Sequence, residues 1–409
     1  MSKAFFFGAP AHGHTNPTLP VVGELVRRGE DIVYFNTEEF RTKIESTGAT
    51  FRNYKSYGTN PGTPFPFGAK EIGNIFTLAA LVMQGTERLV PGLLDATRHE
   101  HPDYIIHDAV SVWGKLIART LALPAVSSVS TLALGFRSGL FMLRPNLEIA
   151  RMLPSDPGAP LRYLRAARRL KVKYDRRACG ILDVFLNKED LNLVYTSRLF
   201  QPGAHSFPPT YVFVGPSIAT PPAGLSAEFP WGLLEGRRVI YIAMGTIFCD
   251  VGGFYKTCFD AFRDWDGIVV MSVGPNTDIA ALGEAPHNCV VRSHVPQPAL
   301  LEHTDLFVTH AGMNSASEAL MSHVPMVAIP QGADQHTVAH QIRKLRAGVR
   351  LNKKGLTAPK LRRAAEKVLA DDTYRARSRE VGESLRAAGG YKRAADEVLA
   401  YYARKRDRH

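Results

Sequence analysis

Residues 294–335 read HVPQPALLEHTDLFVTHAGMNSASEALMSHVPMVAIPQGADQ. An apolar run at 305–309 passes through His310-Ala311-Gly312 into a helical pattern at 315–322, and a second apolar run follows at 326–329. Strand, glycine turn and helix in that order form the repeating unit of a parallel sheet covered by helices. The alternation continues outward in both directions. Strand-like runs lie at 4–7, 32–35, 104–106, 239–243 and 268–272, with helical patterns at 19–28, 38–47, 114–121 and 337–345. The pattern appears twice, on either side of residues 202–230, which hold seven prolines. Proline at that density breaks regular structure and stiffens a connection. The expected fold is α/β: two doubly wound, Rossmann-like domains at 1–214 and 215–390, with 391–409 a C-terminal helix packing back on the first. Such sheets bind ligands outside the carboxyl ends of their strands. A cleft between two facing sheets is therefore the expected site.

Length and composition agree. The chain has 409 residues, 45% hydrophobic and 22% charged, which fits two ordinary globular domains and excludes a disordered, collagenous or coiled-coil chain. No stretch reaches the ~18–20 uninterrupted apolar residues of a membrane span. The opening MSKAFFFGAPAHGH is too short in its apolar run for a signal-peptide core. Cys179, Cys249, Cys258 and Cys289 contain no CxxC pair, so reduced thiols in the cytoplasm are expected.

The net charge of +12 is unusual and would suit nucleic acid, a membrane surface or an anionic ligand. It is unevenly spread. Residues 151–177 hold nine Lys/Arg against two Asp, and the tail YYARKRDRH holds four against one. In 161–177, Leu161, Leu164, Leu170 and Tyr174 recur at helical spacing and suggest an amphipathic helix, so weak membrane-surface contact is its sharper reading beside a solvated basic face. Because the excess sits away from the signature, a nucleic-acid partner is not expected.

The first strand ends in Gly8-Ala9-Pro10-Ala11-His12-Gly13-His14-Thr15. This is P-loop spacing with histidine where a lysine must reach the β/γ-phosphates, which argues against a nucleotide triphosphatase. The GxGxxG spacing of nicotinamide and flavin enzymes is absent from this loop. His14 instead stands where the first strand gives way to a helix, and Asp108 ends the strand beginning at 104. In a doubly wound sheet both reach the carboxyl edge. A carboxylate beside imidazole fixes its tautomer and stabilises the imidazolium, making a usable base. His12, His14 and His107 could instead form a metal site, a weaker reading of the same spacing.

In the signature, Gly312 allows close backbone approach and the following helix end offers N–H groups to an anion. His310, Asn314 and Ser315 add side-chain donors, although Asn314 and Ser315 could simply cap the helix. Glu318 can accept from a vicinal diol such as ribose, while Asp334 and Gln335 follow the next strand and could bind sugar hydroxyls.

PAHGHTNPTLPVVGELVRRG and VPQxxLL…HAGxNSxxEAL…PMVAIPQxxDQ resemble the sugar-nucleotide-dependent glycosyltransferases, a family that includes bacterial macrolide, plant natural-product and animal glucuronosyl enzymes. The resemblance spans essentially the whole chain and implies the GT-B architecture, with an acceptor site in the first domain and a donor site in the second. It implies His14 as general base with Asp108 as its partner. His310, Gly312, Asn314 and Ser315 would hold the diphosphate, with Thr246 nearby, and Glu318 would hold the ribose. Val295 and Gln297 would contact the nucleoside, and Asp334 and Gln335 the donor sugar. His294 replaces a tryptophan that stacks on uracil in plant relatives, which bears on the choice between uridine and thymidine donors.

The implied reaction is an inverting displacement at the anomeric carbon of a nucleoside-diphosphate sugar, with UDP-glucose the expected donor. Neither a metal nor a cofactor is expected, no DxD metal motif being read in the chain. Phe65, Phe67, Phe76, Met83, Phe136 and Phe141 could line a pocket for a hydrophobic small-molecule acceptor, or could be ordinary core. A monomer or a homodimer would serve. A sugar-nucleotide epimerase or hydrolase on a related fold, and a non-catalytic nucleotide-sugar-binding protein, are the alternatives.

Overall fold

A computed structural model describes residues 1–58, 75–135, 156–174, 186–218, 229–245, 252–332 and 334–407. The chain forms two compact units: residues 1–218 together with 388–409, and residues 219–387. The break falls four residues beyond the expected position, and the helix Gly390–Arg406 belongs to the first unit.

In the first unit the strands are β1 (Lys3–Phe7), β2 (Asp31–Asn36), β3 (Thr50–Asn53), β4 (Tyr104–Asp108), β5 (Ala125–Val129), β6 (Leu191–Val194) and β7 (Tyr211–Phe213). They form a parallel sheet ordered β3-β2-β1-β4-β5-β6-β7. The second unit contains β8 (Val239–Ala243), β9 (Ile268–Ser272), β10 (Cys289–Arg292), β11 (Leu306–Thr309), β12 (Met326–Ala328) and β13 (Gly348–Arg350), ordered β10-β9-β8-β11-β12-β13. Each sheet therefore reverses direction beside its first strand, between β1 and β4 and between β8 and β11. In doubly wound sheets this switch point is where ligands bind.

The strands are apolar throughout because both faces are covered. Phe5, Phe7, Phe35 and Ile105 pack on one side of the first sheet, among Trp113, Leu116 and Leu93. Phe6, Tyr34 and Ile106 alternate to the other side, where Ala394, Ala395, Val398 and Tyr401 of the C-terminal helix join them. Arg28 pairs with Asp396 at the edge of that contact, and Tyr104 packs on Tyr402 with ring centroids 4.9 Å apart. Burying Val398 alone contributes about 2 kcal/mol.

Two expectations need correction. Tyr211–Phe213 is a strand inside the proline-rich stretch: Pro208 and Pro209 precede it and Pro216 follows, leaving three residues to pair with β6. The basic helix runs Ala159–Lys173 and buries Ala159, Tyr163, Ala166, Ala167 and Leu170, whereas Leu161 and Leu164 are 50% and 47% exposed. Small alanines let this helix sit close to Ile75–Glu100, so the buried stripe runs through them, Tyr163 and Leu170 rather than through Leu161 and Leu164. Among the described residues no helix is long and apolar enough to cross a membrane.

In the second unit the helix Thr373–Ala387 lies against Met313–Met321, and Gly382 sets how close they come. A Cβ there would stand 2.0 Å from the Leu320 carbonyl oxygen. Gly382→Ala should therefore push the helices apart and cost about 2–3 kcal/mol, read as a lower urea midpoint. An unchanged midpoint would contradict this packing.

Candidate active site

The switch point of the first sheet holds His14 and Asp108. After β1 the chain turns through Pro10 into the short helix His12–Thr15, where the His14 N–H donates to the Ala11 carbonyl at 3.0 Å. The Thr15 hydroxyl ties the turn to the Ala9 carbonyl at 3.1 Å. β1 and β4 are neighbours, so Asp108 at the end of β4 faces this turn. His14 Nδ1 lies 3.0 and 3.1 Å from the two Asp108 carboxyl oxygens. Asp108 is only 1% exposed, and its Oδ1 also accepts from the Val110 N–H at 2.9 Å. An ionised carboxylate only accepts, so Nδ1 carries the hydrogen and Nε2 keeps its lone pair.

Ser130 was not singled out from the sequence. Its buried hydroxyl is 2.8 Å from His14 Nδ1 and 3.5 Å from Asp108 Oδ2. Its position immediately after β5, the next strand along the same carboxyl edge, was the available signal. The other two histidines of the metal reading point elsewhere. His12 meets the Phe40 ring edge-on, and His107 reaches Glu189 at 3.3 Å from the adjacent position on β4.

In the second sheet, β11 leads into His310, Ala311 and Gly312, and then the helix Met313–Met321. Ala311 adopts φ +63°, a left-handed conformation that costs a non-glycine residue about 1–2 kcal/mol and clusters at functional sites. The His310 ring lies between two glycines. A Cβ on Gly245 would come within 2.6 Å of its Nε2, and one on Gly312 within 2.4 Å. Burial lowers the His310 pKa from its ordinary 6.5 to about 4, against a smaller opposing pull from the Ala243 carbonyl. The imidazole is thus neutral at pH 7. Gly312 is the N-cap and supplies no side chain, so Asn314 and Ser315 lie inside the first turn rather than at the cap position.

Gln297 opens the helix Gln297–Glu302, and its side chain turns inward. Its amide N–H groups donate to Glu318 Oε2 at 2.6 Å and Ser315 Oγ at 3.2 Å, while its oxygen accepts from the Tyr241 hydroxyl at 2.9 Å. Gln297 is thereby tied to Glu318, the residue expected to hold the ribose. Burial raises the Glu318 pKa, and the Gln297 N–H pulls it back. Val295 is buried and His294 exposed beside this helix. Asp334 stands at the N-cap position of the helix Gln335–Lys344 after β12, without a side-chain capping bond, and the Gln335 side-chain oxygen accepts from the N–H groups of Gln331 and Gly332 at 2.8 and 3.3 Å.

Thr246, Phe65, Phe67, Phe136 and Phe141 lie outside the described residues, as does the Phe76 side chain. Met83 is 1% exposed and packs with Leu93, Trp113 and Tyr163, so it is core rather than pocket lining. Contrary to expectation, the chain does contain a DxD triplet, Asp264-Trp265-Asp266. That triplet precedes β9, at the amino edge of the sheet, opposite the edge that carries His310.

The His310 shift has a thermodynamic consequence. Between pH 6.5 and 4 the unfolded chain binds a proton that the folded one refuses, so stability falls as pH falls through that window. The full loss is about 3 kcal/mol. His310→Gln should flatten that part of the stability curve relative to wild type in denaturant titrations at pH 7, 5.5 and 4. Parallel curves for the two proteins would refute a neutral buried imidazole.

Comparison with known proteins gives this geometry its setting. The family model described as the erythromycin biosynthesis protein CIII-like C-terminal domain matches residues 256–396. An uncharacterised UDP-glucosyltransferase of Bacillus subtilis (strain 168), YojK, is 36% identical over 399 residues, covering 98% of this chain and 97% of its own. The oleandomycin glycosyltransferase of Streptomyces antibioticus is 31% identical over 417 residues, covering 98% and 91%. The crystal structure of the kitacinnamycin glycosyltransferase superimposes with a TM-score of 0.83 at 26% identity, over 98% of both chains. With two parallel-sheet α/β units and relatives of this kind along its whole length, the chain belongs to the natural-product glycosyltransferases of GT-B fold, enzymes of macrolide type that use nucleotide-sugar donors.

Proposed function

We propose that this enzyme transfers glucose from UDP-glucose to a hydroxyl of a hydrophobic small molecule, with inversion and with His14 as general base. The observation that carries the reading is the His14–Asp108 pair at the switch point of the first sheet, 3.0 Å between Nδ1 and Oδ2. Nε2 takes the proton of the acceptor hydroxyl as its oxygen forms a bond to the anomeric carbon. The bond from that carbon to the diphosphate oxygen breaks on the opposite face, and UDP leaves with the electron pair. Asp108 stabilises the imidazolium so formed. An α-linked donor then gives a β-glycoside.

Negative charge on the leaving diphosphate meets the N–H groups opening Met313–Met321 and the neutral His310 ring, donors that act without a metal. Activity is accordingly expected to persist in EDTA. The choice of uridine over thymidine rests on the UDP-glucosyltransferase relative.

His14→Ala should lower kcat by about 10²–10⁴-fold while leaving the donor KM within about threefold, measured with UDP-glucose and a phenolic acceptor. Asp108→Asn should also lose turnover, because an amide can hold the wrong tautomer. Full turnover of His14→Ala towards an alcohol acceptor would overturn the base assignment. Release of free glucose or an epimerised donor in place of a glycoside would overturn the transferase reading of this chain.

The helix Ala159–Lys173 supports a second, peripheral role. Leu161, Leu164 and Val172 are exposed on one face with Arg165 and Arg168 between them, a pairing that suits an anionic bilayer. Sedimentation with phosphatidylserine vesicles should retain the protein at low salt and lose it in Arg165→Glu/Arg168→Glu. Equal recovery with neutral vesicles would exclude charge-driven contact.

A further inference from the structure

The proposed chemistry gives no role to Tyr241, yet this residue ends a chain of hydrogen bonds that reaches the donor side. Tyr241 lies in the middle of β8 and is 1% exposed. Its ring stacks on Phe307, its register partner on β11, with centroids 4.6 Å apart and planes 4° from parallel. Two neighbouring strands thus hold the ring. The phenol hydroxyl donates to Gln297 Oε1, 2.9 Å away.

That bond decides which way the Gln297 amide faces. With its oxygen on the Tyr241 hydroxyl, its NH2 group must meet Glu318 Oε2 at 2.6 Å and Ser315 Oγ at 3.2 Å. The flipped amide would set its carbonyl against the carboxylate, two acceptors with no donor between them, and would give up the bond by which the Tyr241 hydroxyl holds the amide oxygen. Glu318 is thereby held with one oxygen committed to protein. Its other oxygen accepts no hydrogen bond among the described residues and remains for a hydroxyl of the donor.

We propose that Tyr241 is a positioning residue for donor recognition, acting through the Gln297 amide to fix the Glu318 carboxylate in the orientation that accepts the nucleotide ribose. The proposal rests on the reading that Glu318 binds the ribose. Tyr241 touches neither substrate nor reacting atoms. Its contribution therefore falls in donor affinity rather than in the chemical step.

The test is a double-mutant cycle read as UDP binding by calorimetry, with steady-state kinetics alongside. Tyr241→Phe keeps the stacked ring and removes only the hydroxyl. It should weaken UDP about tenfold and raise the UDP-glucose KM to match, with kcat at saturating donor within about twofold. In a Glu318→Gln background the same change should cost less than about twofold, because the carboxylate it orients is gone. An equal loss in both backgrounds, or no loss in either, overturns the role of Tyr241. Wild-type UDP affinity in Glu318→Gln alone overturns the ribose reading beneath it, a separable result. Should Tyr241→Phe fold poorly, Gln297→Met breaks the same chain one link later and must show the same background dependence; equal losses there overturn the proposal too.

Discussion

Everything functional in this chain depends on one topological constraint, the reversal of strand order beside the first strand of each sheet. Parallel strands need crossover connections, and the right-handed rule sends those connections to opposite faces once the order reverses. At β1/β4 and at β8/β11 the chains leaving adjacent strands therefore diverge, opening a notch at the carboxyl edge. His14 and Asp108 occupy one such notch; Gly245 and His310 occupy the other. Neither pair is close in sequence. Each is brought together by strand pairing alone, and the apolar cores on both sheet faces make that pairing rigid.

The two histidines show how one side chain is given two jobs by its surroundings. His14 lies against an almost fully buried carboxylate, which orders the ring and supports a positive charge when a proton arrives. His310 lies between glycines, and burial holds it neutral. One ring is paired with a carboxylate, and the other is enclosed by two glycines. Glu318 is intermediate: burial favours its neutral form, and the Gln297 amide favours the ionised one.

Much of this was legible in the sequence because it depends on local pattern. Apolar runs followed by glycine turns marked β1, β8, β9 and β11, and the strand ends located His14, Asp108 and His310. What escaped depends on neighbours distant in the chain. Ser130 and Tyr241 acquire meaning only when β5 lies beside β4 and β8 beside β11. The inward turn of the Gln297 side chain is likewise set by Tyr241, 56 residues away. Leu161 and Leu164 share a helical spacing with Leu170, yet of the three only Leu170 is buried. Met83 looked available to an acceptor and is buried among Leu93, Trp113 and Tyr163.

The central claim is that Asp108 holds His14 with its hydrogen on Nδ1, leaving Nε2 as the base. The most direct measurement is a nitrogen-15 correlation spectrum of histidine-labelled protein at pH 8, with the His14 ring identified by its loss in His14→Gln. The account predicts a protonated Nδ1 and an unprotonated Nε2 in the wild-type protein, and loss of that preference in Asp108→Asn. A His14 ring with its hydrogen on Nε2 in the wild-type protein would contradict it.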